Sequence, residues 1–299
     1  MNIELPKING RLSQLKTLLV FFSAISLSLS TVSNAQNLSA LDVSSVITKY
    51  REANEALILT DFVELLSFPN VASNLDDMAV NADHIEGLLS ARGFTTKQLQ
   101  AGGAPYVYAE LLNPNATETL LLYAHFDGQP VDPKNWAYPP FTPMLLDAPL
   151  NAGGKPVDLD LSPPRFDPES RLYARSAGDD KMPVIAIAHV IDALRQNNIE
   201  LSVNLKLIFD GEEERGSPTL GQIIDDNPGL LDADLLLFCD APMHQSRRAQ
   251  LVFGVRGGRT LDMTTYGANR SLHSGHYGNW APNPIMRMAY LLTSMRDES

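Results

Sequence analysis

The chain has 299 residues, and 44% of them are hydrophobic, which is enough apolar material for a buried core in one or two domains. Its 35 acidic residues exceed its 23 lysines and arginines and give a formal net charge of −12. Because an acidic surface repels phosphate backbones, the composition argues against a nucleic-acid-binding protein.

The first 35 residues have the three-part pattern of a secretory signal peptide. Basic residues at positions 7, 11 and 16 precede the uncharged apolar run Thr17–Leu29, and small residues follow at Ser33-Asn34-Ala35. The apolar run is too short to cross a bilayer core of roughly 30 Å, although an uncleaved anchor is the alternative. We therefore expect a periplasmic or secreted protein after cleavage of residues 1–35.

Cys239 is the single cysteine of the chain, so no internal disulfide can form. It ends the apolar run Leu235–Cys239, which favours a buried structural thiol over a catalytic one.

The remaining chain alternates between helical and extended patterns. Helical spacing of apolar residues predicts helices over residues 38–57, 61–66, 76–89, 181–196 and 219–226. Apolar runs predict strands over residues 95–99, 106–112, 119–124, 201–209 and 235–238, the last one buried. A segment rich in Pro, Gly and Asp, residues 130–170, is predicted as a long surface loop. This order predicts an α/β fold, a mixed sheet with helices on both faces.

The pattern changes near Leu251. Arg256-Gly257-Gly258 resembles a hinge, residues 260–266 alternate like a strand with one exposed face, and residues 284–295 are amphipathic. We expect one domain over residues 36–253 and the start of a second, small α+β domain over residues 254–299.

Polar residues fall at the ends of the predicted strands, where open α/β sheets place their ligands. His125 ends a buried strand, and Asp127 follows two residues later and could hold the second imidazole nitrogen. Taken alone, this pair is also compatible with a histidine in ordinary hydrogen bonds.

Three more strand ends carry acids. Asp179-Asp180 precedes a predicted helix, where capping is the simpler explanation of either residue. The acidic run 210–214 could be a solvated face, or it could supply a metal ligand and a proton acceptor. Asp240 follows the strand 235–238, and a simple strand-to-loop aspartate is its alternative. Converging on one sheet edge, these acids would repel one another without a cation, so the combination favours a metal site.

The order of these motifs resembles the co-catalytic zinc metallopeptidases that include carnosinase, carboxypeptidase G, aminoacylase and succinyl-diaminopimelate desuccinylase. The resemblance covers about residues 120–278. It comprises His-x-Asp, Asp-Asp-Lys, Glu-Glu before Arg-Gly-Ser, a single Asp, and His-Ser-Gly.

The resemblance implies a binuclear site for two Zn²⁺ ions or other divalent cations such as Mn²⁺ or Co²⁺. His125 and Asp240 would bind one ion, Glu214 would bind the other, and Asp179 would bridge both.

It also implies three catalytic roles. Asp127 would orient His125, and Glu213 would act as the general base that deprotonates a bridging water and then protonates the leaving amine. His273, in Leu272-His273-Ser274-Gly275, would be the lid histidine that stabilises the oxyanion and reaches across a homodimer into the partner's site.

The sequence departs from the family pattern at two points. Met182 stands where the family has glycine after Asp-Asp-Lys. The family's second zinc also takes a histidine from a segment after the lid, and this chain ends at Ser299, so we expect a C-terminal truncation that weakens the second metal site.

The leading functional prediction is metal-dependent hydrolysis of amide bonds in dipeptides, short peptides or N-acyl amino acids, with the dipeptidase branch favoured by His-Phe-Asp-Gly-Gln-Pro. The alternative is a catalytically silent exported binding module, which the absent distal histidine favours. We expect a peptide or acyl-amino-acid substrate, a homodimer through the lid, no nucleic acid and no stable membrane insertion.

Overall fold

The computed structural model of the chain describes residues 40–158, 165–241, 243–258 and 260–296. The predicted signal peptide, residues 1–35, lies outside the described residues. Internal contacts divide the chain into two units, Met1–Ala241 and Pro242–Ser299. The predicted domain boundary at residues 253 and 254 stays a prediction. No helix in the described ranges is both long and apolar enough to span a membrane.

A five-stranded mixed sheet forms the centre of the first unit, with the strand order β1-β2-β6-β3-β7. Its strands are β1 (Thr95–Leu99), β2 (Tyr106–Leu111), β3 (Thr119–His125), β6 (Asn204–Asp210) and β7 (Leu235–Phe238). Strand β3 runs parallel to β6 and β7, whereas β2 is antiparallel to β6. The parallel register pairs His125 with Asp210 at the carboxyl end of both strands.

Helices cover both faces of this sheet. They are α1 (Ala40–Ala53), α2 (Glu55–Ser67), α3 (Leu75–Ser90), α4 (Lys181–Gln196) and α5 (Leu220–Asp226). Residues of α2, α3 and α4 join one core with the sheet residues Leu122, Leu207 and Phe209. On the other face, Ile223 of α5 packs with Tyr123 and other sheet residues. The predicted α/β class with a mixed, two-sided sheet is confirmed.

Strand β1 and helix α4 begin and end at the predicted residues. The predicted break between the first two helices was wrong, because α1 ends at Ala53 and α2 begins directly after Asn54. The Asn54 side chain donates to the Tyr50 carbonyl at 2.8 Å, a local hydrogen bond of the kind that competes with helix continuation. The predicted loop 130–170 contains β4 (Met144–Leu146), which pairs with β5 (Arg171–Tyr173) in a separate sheet.

The prediction that β7 is a buried strand was wrong. All four of its residues are exposed, from 39% for Leu237 to 62% for Leu235. Strand β7 lies at the sheet edge, where the Tyr123 ring lies 4.5 Å from the Phe238 ring, but the apolar side chains of the strand stay largely exposed. Cys239, which follows β7, is half-buried, and burial raises the pKa of its thiol to about 11, as expected for a thiol without a catalytic role.

The second unit contains two described helices, α6 (Ser274–Tyr277) and α7 (Pro284–Ser294). Helix α7 confirms the predicted amphipathic segment, and the Asn283 side chain caps it by accepting from two backbone N–H groups. The predicted strand over residues 260–266 was wrong, because these residues have no regular secondary structure. A strand needs a neighbour for its backbone hydrogen bonds, and the described residues of this unit supply none.

Candidate metal centre

His125 stands at the carboxyl end of β3 and is the centre of an acidic cluster. Its side chain is 1% exposed, and its Nδ1 lies 3.2 Å from Asp127 Oδ1. Its Nε2 lies 2.9 Å from Asp179 Oδ1 and 3.8 Å from both Glu213 Oε2 and Asp240 Oδ2. Four acids that are up to 115 positions away in the sequence therefore meet at one imidazole.

Asp127 is fully buried and connects two loops of the cluster. Its Oδ1 accepts from the backbone N–H of Glu213 at 3.0 Å, and its Oδ2 accepts from that of Glu214 at 3.1 Å. The same carboxylate thus contacts the imidazole and holds the turn that carries both glutamates. The predicted orienting role of Asp127 stays a prediction.

The two adjacent aspartates differ sharply in environment. The Asp179 side chain is 70% exposed, whereas Asp180 is 2% exposed and accepts from the His125 backbone N–H at 3.2 Å. One ligand atom each from His125, Asp180 and Asp240 lies within 4.8 Å of the others. Sequence reasoning gave Asp180 no metal role. Asp180 makes no side-chain capping bond to α4, so capping does not explain this residue.

Glu214 lies beside the cluster, with a different set of contacts. Its Oε2 accepts from Gln129 Nε2 at 2.7 Å, and it does not belong to the group of ligand atoms around His125, Asp180 and Asp240 in the described residues. The structure therefore gathers the predicted ligands His125, Asp179 and Asp240, and it places Glu214 at the side, held by Gln129.

The first two acids of the acidic run 210–214 are not exposed to solvent. Asp210 and Glu212 are both fully buried. Glu212 accepts from the backbone N–H groups of Ala104 at 3.3 Å and Thr219 at 2.9 Å, and from the Tyr106 hydroxyl at 3.2 Å. These bonds anchor the loop on both sides, so Glu213 and Glu214 are presented from a fixed backbone.

A second anchor lies at the start of α4. Lys181 is fully buried, and its Nζ donates to the carbonyl of Leu65 at 2.8 Å and to that of Phe68 at 3.1 Å. Burial lowers the pKa of Lys181 to about 7. The lysine that follows Asp179-Asp180 thus fastens this loop to the end of α2.

The electrostatics of the cluster fit a cation. Burial lowers the pKa of His125, but the hydrogen bond and charge of Asp127 and the hydrogen bond of Asp179 outweigh it and raise this pKa to about 10. Burial raises the pKa of Asp180 to about 7 and also raises that of Glu213. The site therefore favours added positive charge, and its imidazole and carboxylate donors suit a divalent metal such as zinc.

His273 belongs to the second unit, where it precedes α6. Its Nδ1 accepts from the backbone N–H of Gly275 at 3.1 Å, and its ring centroid lies 4.6 Å from that of His276. Its predicted catalytic role stays a prediction.

Comparison with known proteins agrees with this geometry. Residues 121–255, which include the predicted metal ligands, match the profile of peptidase family M20/M25/M40. The predicted resemblance is confirmed, and the M20/M25/M40 region extends from within β3 to beyond Asp240.

Two curated relatives and one solved structure of M20 type illustrate the likeness. The chain is 27% identical over 194 residues to a Cys-Gly metallodipeptidase of Schizosaccharomyces pombe, covering 64% of this chain and 36% of the relative. It is 26% identical over 232 residues to the human beta-Ala-His dipeptidase, covering 74% and 41%. An M20 family metallo-carboxypeptidase from Sulfolobus solfataricus superposes with a TM-score of 0.61 and 30% identity, covering 81% of this chain and 50% of that one.

The chain thus spans less than half the length of these curated relatives. Within the shared part, sequence reasoning missed Asp180 and Gln129. Asp180 stood next to a predicted ligand, and Gln129 lies within the His-Phe-Asp-Gly-Gln-Pro motif, but only the three-dimensional contacts separate their roles from those of their neighbours.

Proposed function

We propose that the protein is a metal-dependent peptidase that hydrolyses the amide bond of dipeptides. Short peptides and N-acyl amino acids belong to the same substrate class. The observation that carries the proposal is the placement of His125 among Asp127, Asp179, Glu213 and Asp240. Relatives named as Cys-Gly and beta-Ala-His dipeptidases support the choice of dipeptides.

Divalent cations bound here would polarise the substrate carbonyl and lower the pKa of a water molecule. We propose two such ions, preferably Zn²⁺, with His125, Asp179 and Asp240 at one site and Asp179 with Glu214 at the other. The buried Asp180 lies close enough to contribute to the first site.

Glu213 is the proposed general base. Its Oε2 lies 3.8 Å from His125 Nε2, and its backbone N–H is held by Asp127. Its carboxylate accepts the proton of the attacking water and returns this proton to the nitrogen of the leaving amine as the C–N bond breaks. Burial raises the pKa of Glu213, which makes its carboxylate a better proton acceptor.

We further propose that the second unit acts as a lid through His273. In this proposal the protein forms a homodimer, and His273 of each subunit serves the active site of the other. We also propose that cleavage of residues 1–35 exports the protein to the periplasm or medium. The lid histidine would donate a hydrogen bond to the developing oxyanion. The catalytically silent binding module receives less support, because such a module has no need for Glu213 and Glu214 beside the histidine.

The test combines metal analysis with one substitution. About two Zn²⁺ ions retained by the purified chain, together with hydrolysis of Cys-Gly or beta-Ala-His, would support the enzyme. Asp179→Ala is expected to lose metal, because its carboxylate is the one nearest to His125 Nε2. One ion or none, together with no hydrolysis of either dipeptide, would instead support the binding module.

A further inference from the structure

Asn70 is a fully buried residue just after α2, outside every motif of the metal centre. Its Nδ2 donates to the carbonyl oxygen of Phe126 at 2.7 Å and to Ser176 Oγ at 2.8 Å. Its backbone carbonyl accepts from the N–H of Gly128 at 2.8 Å. One asparagine therefore binds the loop that follows His125 and the loop that precedes Asp179.

Ser176 is the partner of Asn70 in the second loop. It is 4% exposed, has a φ of 63°, and its backbone carbonyl accepts from the Lys181 N–H at 3.0 Å. Its Oγ lies 3.4 Å from the Asp127 carbonyl. A φ in the left-handed region strains the backbone of a serine. Such a conformation persists only where the surrounding structure supports it, so tertiary contacts fix the shape of this loop.

The contact between the two loops is too close for any larger residue at position 128. A Cβ added to Gly128 would lie 2.4 Å from Ser176 Oγ and 2.9 Å from Arg175 Cδ. The backbone next to Asp127 therefore lies directly against the serine hydroxyl, and the separation of the two loops depends on this packing.

We infer that Asn70 and Ser176 are positioning residues that set the distance between His125 and the Asp179-Asp180 carboxylates and thereby the affinity of the metal centre. This inference rests on the metal site of the proposed function. Neither side chain belongs to the cluster around His125, so both act through the backbone of the two loops. Groups that orient metal ligands from outside typically change metal affinity by about 10–100-fold when they are removed.

The chain offers a matched control in Asn81. This asparagine is also fully buried, and its Nδ2 also makes two hydrogen bonds, to the carbonyls of Pro69 and Asp77 at 2.8 Å. In both asparagines Oδ1 has no hydrogen-bond partner among the described residues. Asn81 contacts the segment next to Asn70 but neither ligand loop, so Asn81→Ala controls for loss of a buried amide.

The experiment measures Zn²⁺ affinity by competition with a chromophoric chelator and thermal unfolding in EDTA for the full chain. Asn70→Ala and Ser176→Ala are each expected to weaken Zn²⁺ binding by about tenfold or more. Asn81→Ala is expected to lower the melting temperature by a similar amount with a change in affinity below about threefold. The double variant Asn70→Ala/Ser176→Ala should lose less than the product of the two single losses, because both remove the same contact.

Unchanged affinity in Asn70→Ala and Ser176→Ala, or an equal loss in Asn81→Ala, would overturn the positioning role. If Asn70→Ala does not fold, Ser176→Ala, which removes one hydroxyl, decides the question by itself. A failure of the unsubstituted chain to bind Zn²⁺ would overturn the proposed function as well. Normal binding by the unsubstituted chain with normal binding by both variants would overturn this inference alone.

Discussion

Asp127 Oδ1 accepts a hydrogen bond from the backbone N–H of Glu213 at 3.0 Å while lying 3.2 Å from His125 Nδ1. The residue that is proposed to orient the imidazole is thus also the residue that holds the proposed general base. His125 and Glu213 come from the ends of β3 and β6, which are adjacent and parallel. A disturbance of Asp127 should therefore affect metal binding and proton transfer together.

Asp127→Asn tests this link. The amide keeps one acceptor but presents an NH₂ group toward a backbone N–H or the imidazole, so at least one contact becomes repulsive. We expect Zn²⁺ affinity to fall by about 10–100-fold, and turnover to fall even at saturating metal. Chelator competition and dipeptide hydrolysis measure the two effects. Asp132→Asn, at an exposed aspartate that follows in the same loop, should leave both unchanged. Full activity with normal affinity in Asp127→Asn would refute the double role.

Glu213→Gln should separate catalysis from metal binding. The amide cannot accept the water proton, so we expect kcat to fall by about 10²–10⁴-fold with the zinc content unchanged. Glu214→Gln, one residue further on, should instead lower zinc retention. Zinc analysis and steady-state kinetics on the same preparations distinguish the two. Substantial turnover by Glu213→Gln would remove Glu213 from the proposed role.

His189 predicts a pH dependence of stability. It is 4% exposed on α4, with Nδ1 3.2 Å from the Tyr50 hydroxyl, and burial lowers the pKa of His189 below its usual value. Below about pH 6.5 the unfolded chain binds a proton that the folded chain resists, so this histidine makes the free energy of unfolding fall as the pH falls. Burial also lowers the pKa of His84, which acts in the same direction.

Urea unfolding in EDTA at several pH values between 5 and 7.5 measures this effect. As the pH falls, the unfolding free energy of the unsubstituted chain should fall more than that of His189→Gln, because the variant has no imidazole to protonate at position 189. His84→Gln should show the same sign independently. A difference that stays constant over this range would contradict the assignment.

Gly103 and Gly87 predict opposite responses to alanine. A Cβ at Gly103 would lie 2.2 Å from Glu212 Oε2, so Gly103→Ala should displace the buried carboxylate and destabilise the fold by about 1–3 kcal/mol. Gly87 lies within α3 with nothing within 4 Å of an added Cβ, so Gly87→Ala should stabilise by about 0.5–1 kcal/mol. Urea denaturation gives both values. Equal effects in the two variants would show that the contact with Glu212 is not decisive.

The exposed edge strand β7 should promote self-association of the chain. Leu235 is 62% exposed on a strand whose side chains are all apolar, and such edges template pairing with other chains. Leu235→Lys should therefore reduce association in sedimentation experiments. Leu112→Lys, at a similarly exposed leucine away from β7, serves as the control. If both variants associate as the unsubstituted chain does, β7 is not the contact surface.

Much of the fold could be predicted because its signals are local. The buried runs of β3 and β6 and the helical spacing of α4 arise from neighbouring residues, so periodicity was sufficient to find them. The exposure of β7 could not be predicted in this way. An apolar run shows only that a strand can be buried, whereas its place at the sheet edge depends on which strands pair.

The sequence by itself determined the α/β class and the acids and histidine at the strand ends, because the order of hydrophobic and polar residues along each strand is local. Only the tertiary structure decided that Asp127 holds both His125 and Glu213, that Asp180 is buried beside them, and that Asn70 joins the two loops. Asp180 and His125 are 55 positions apart in the sequence, and Asn70 and Ser176 are 106 positions apart. No local pattern records such a distance, because chain folding and side-chain packing bring these atoms together.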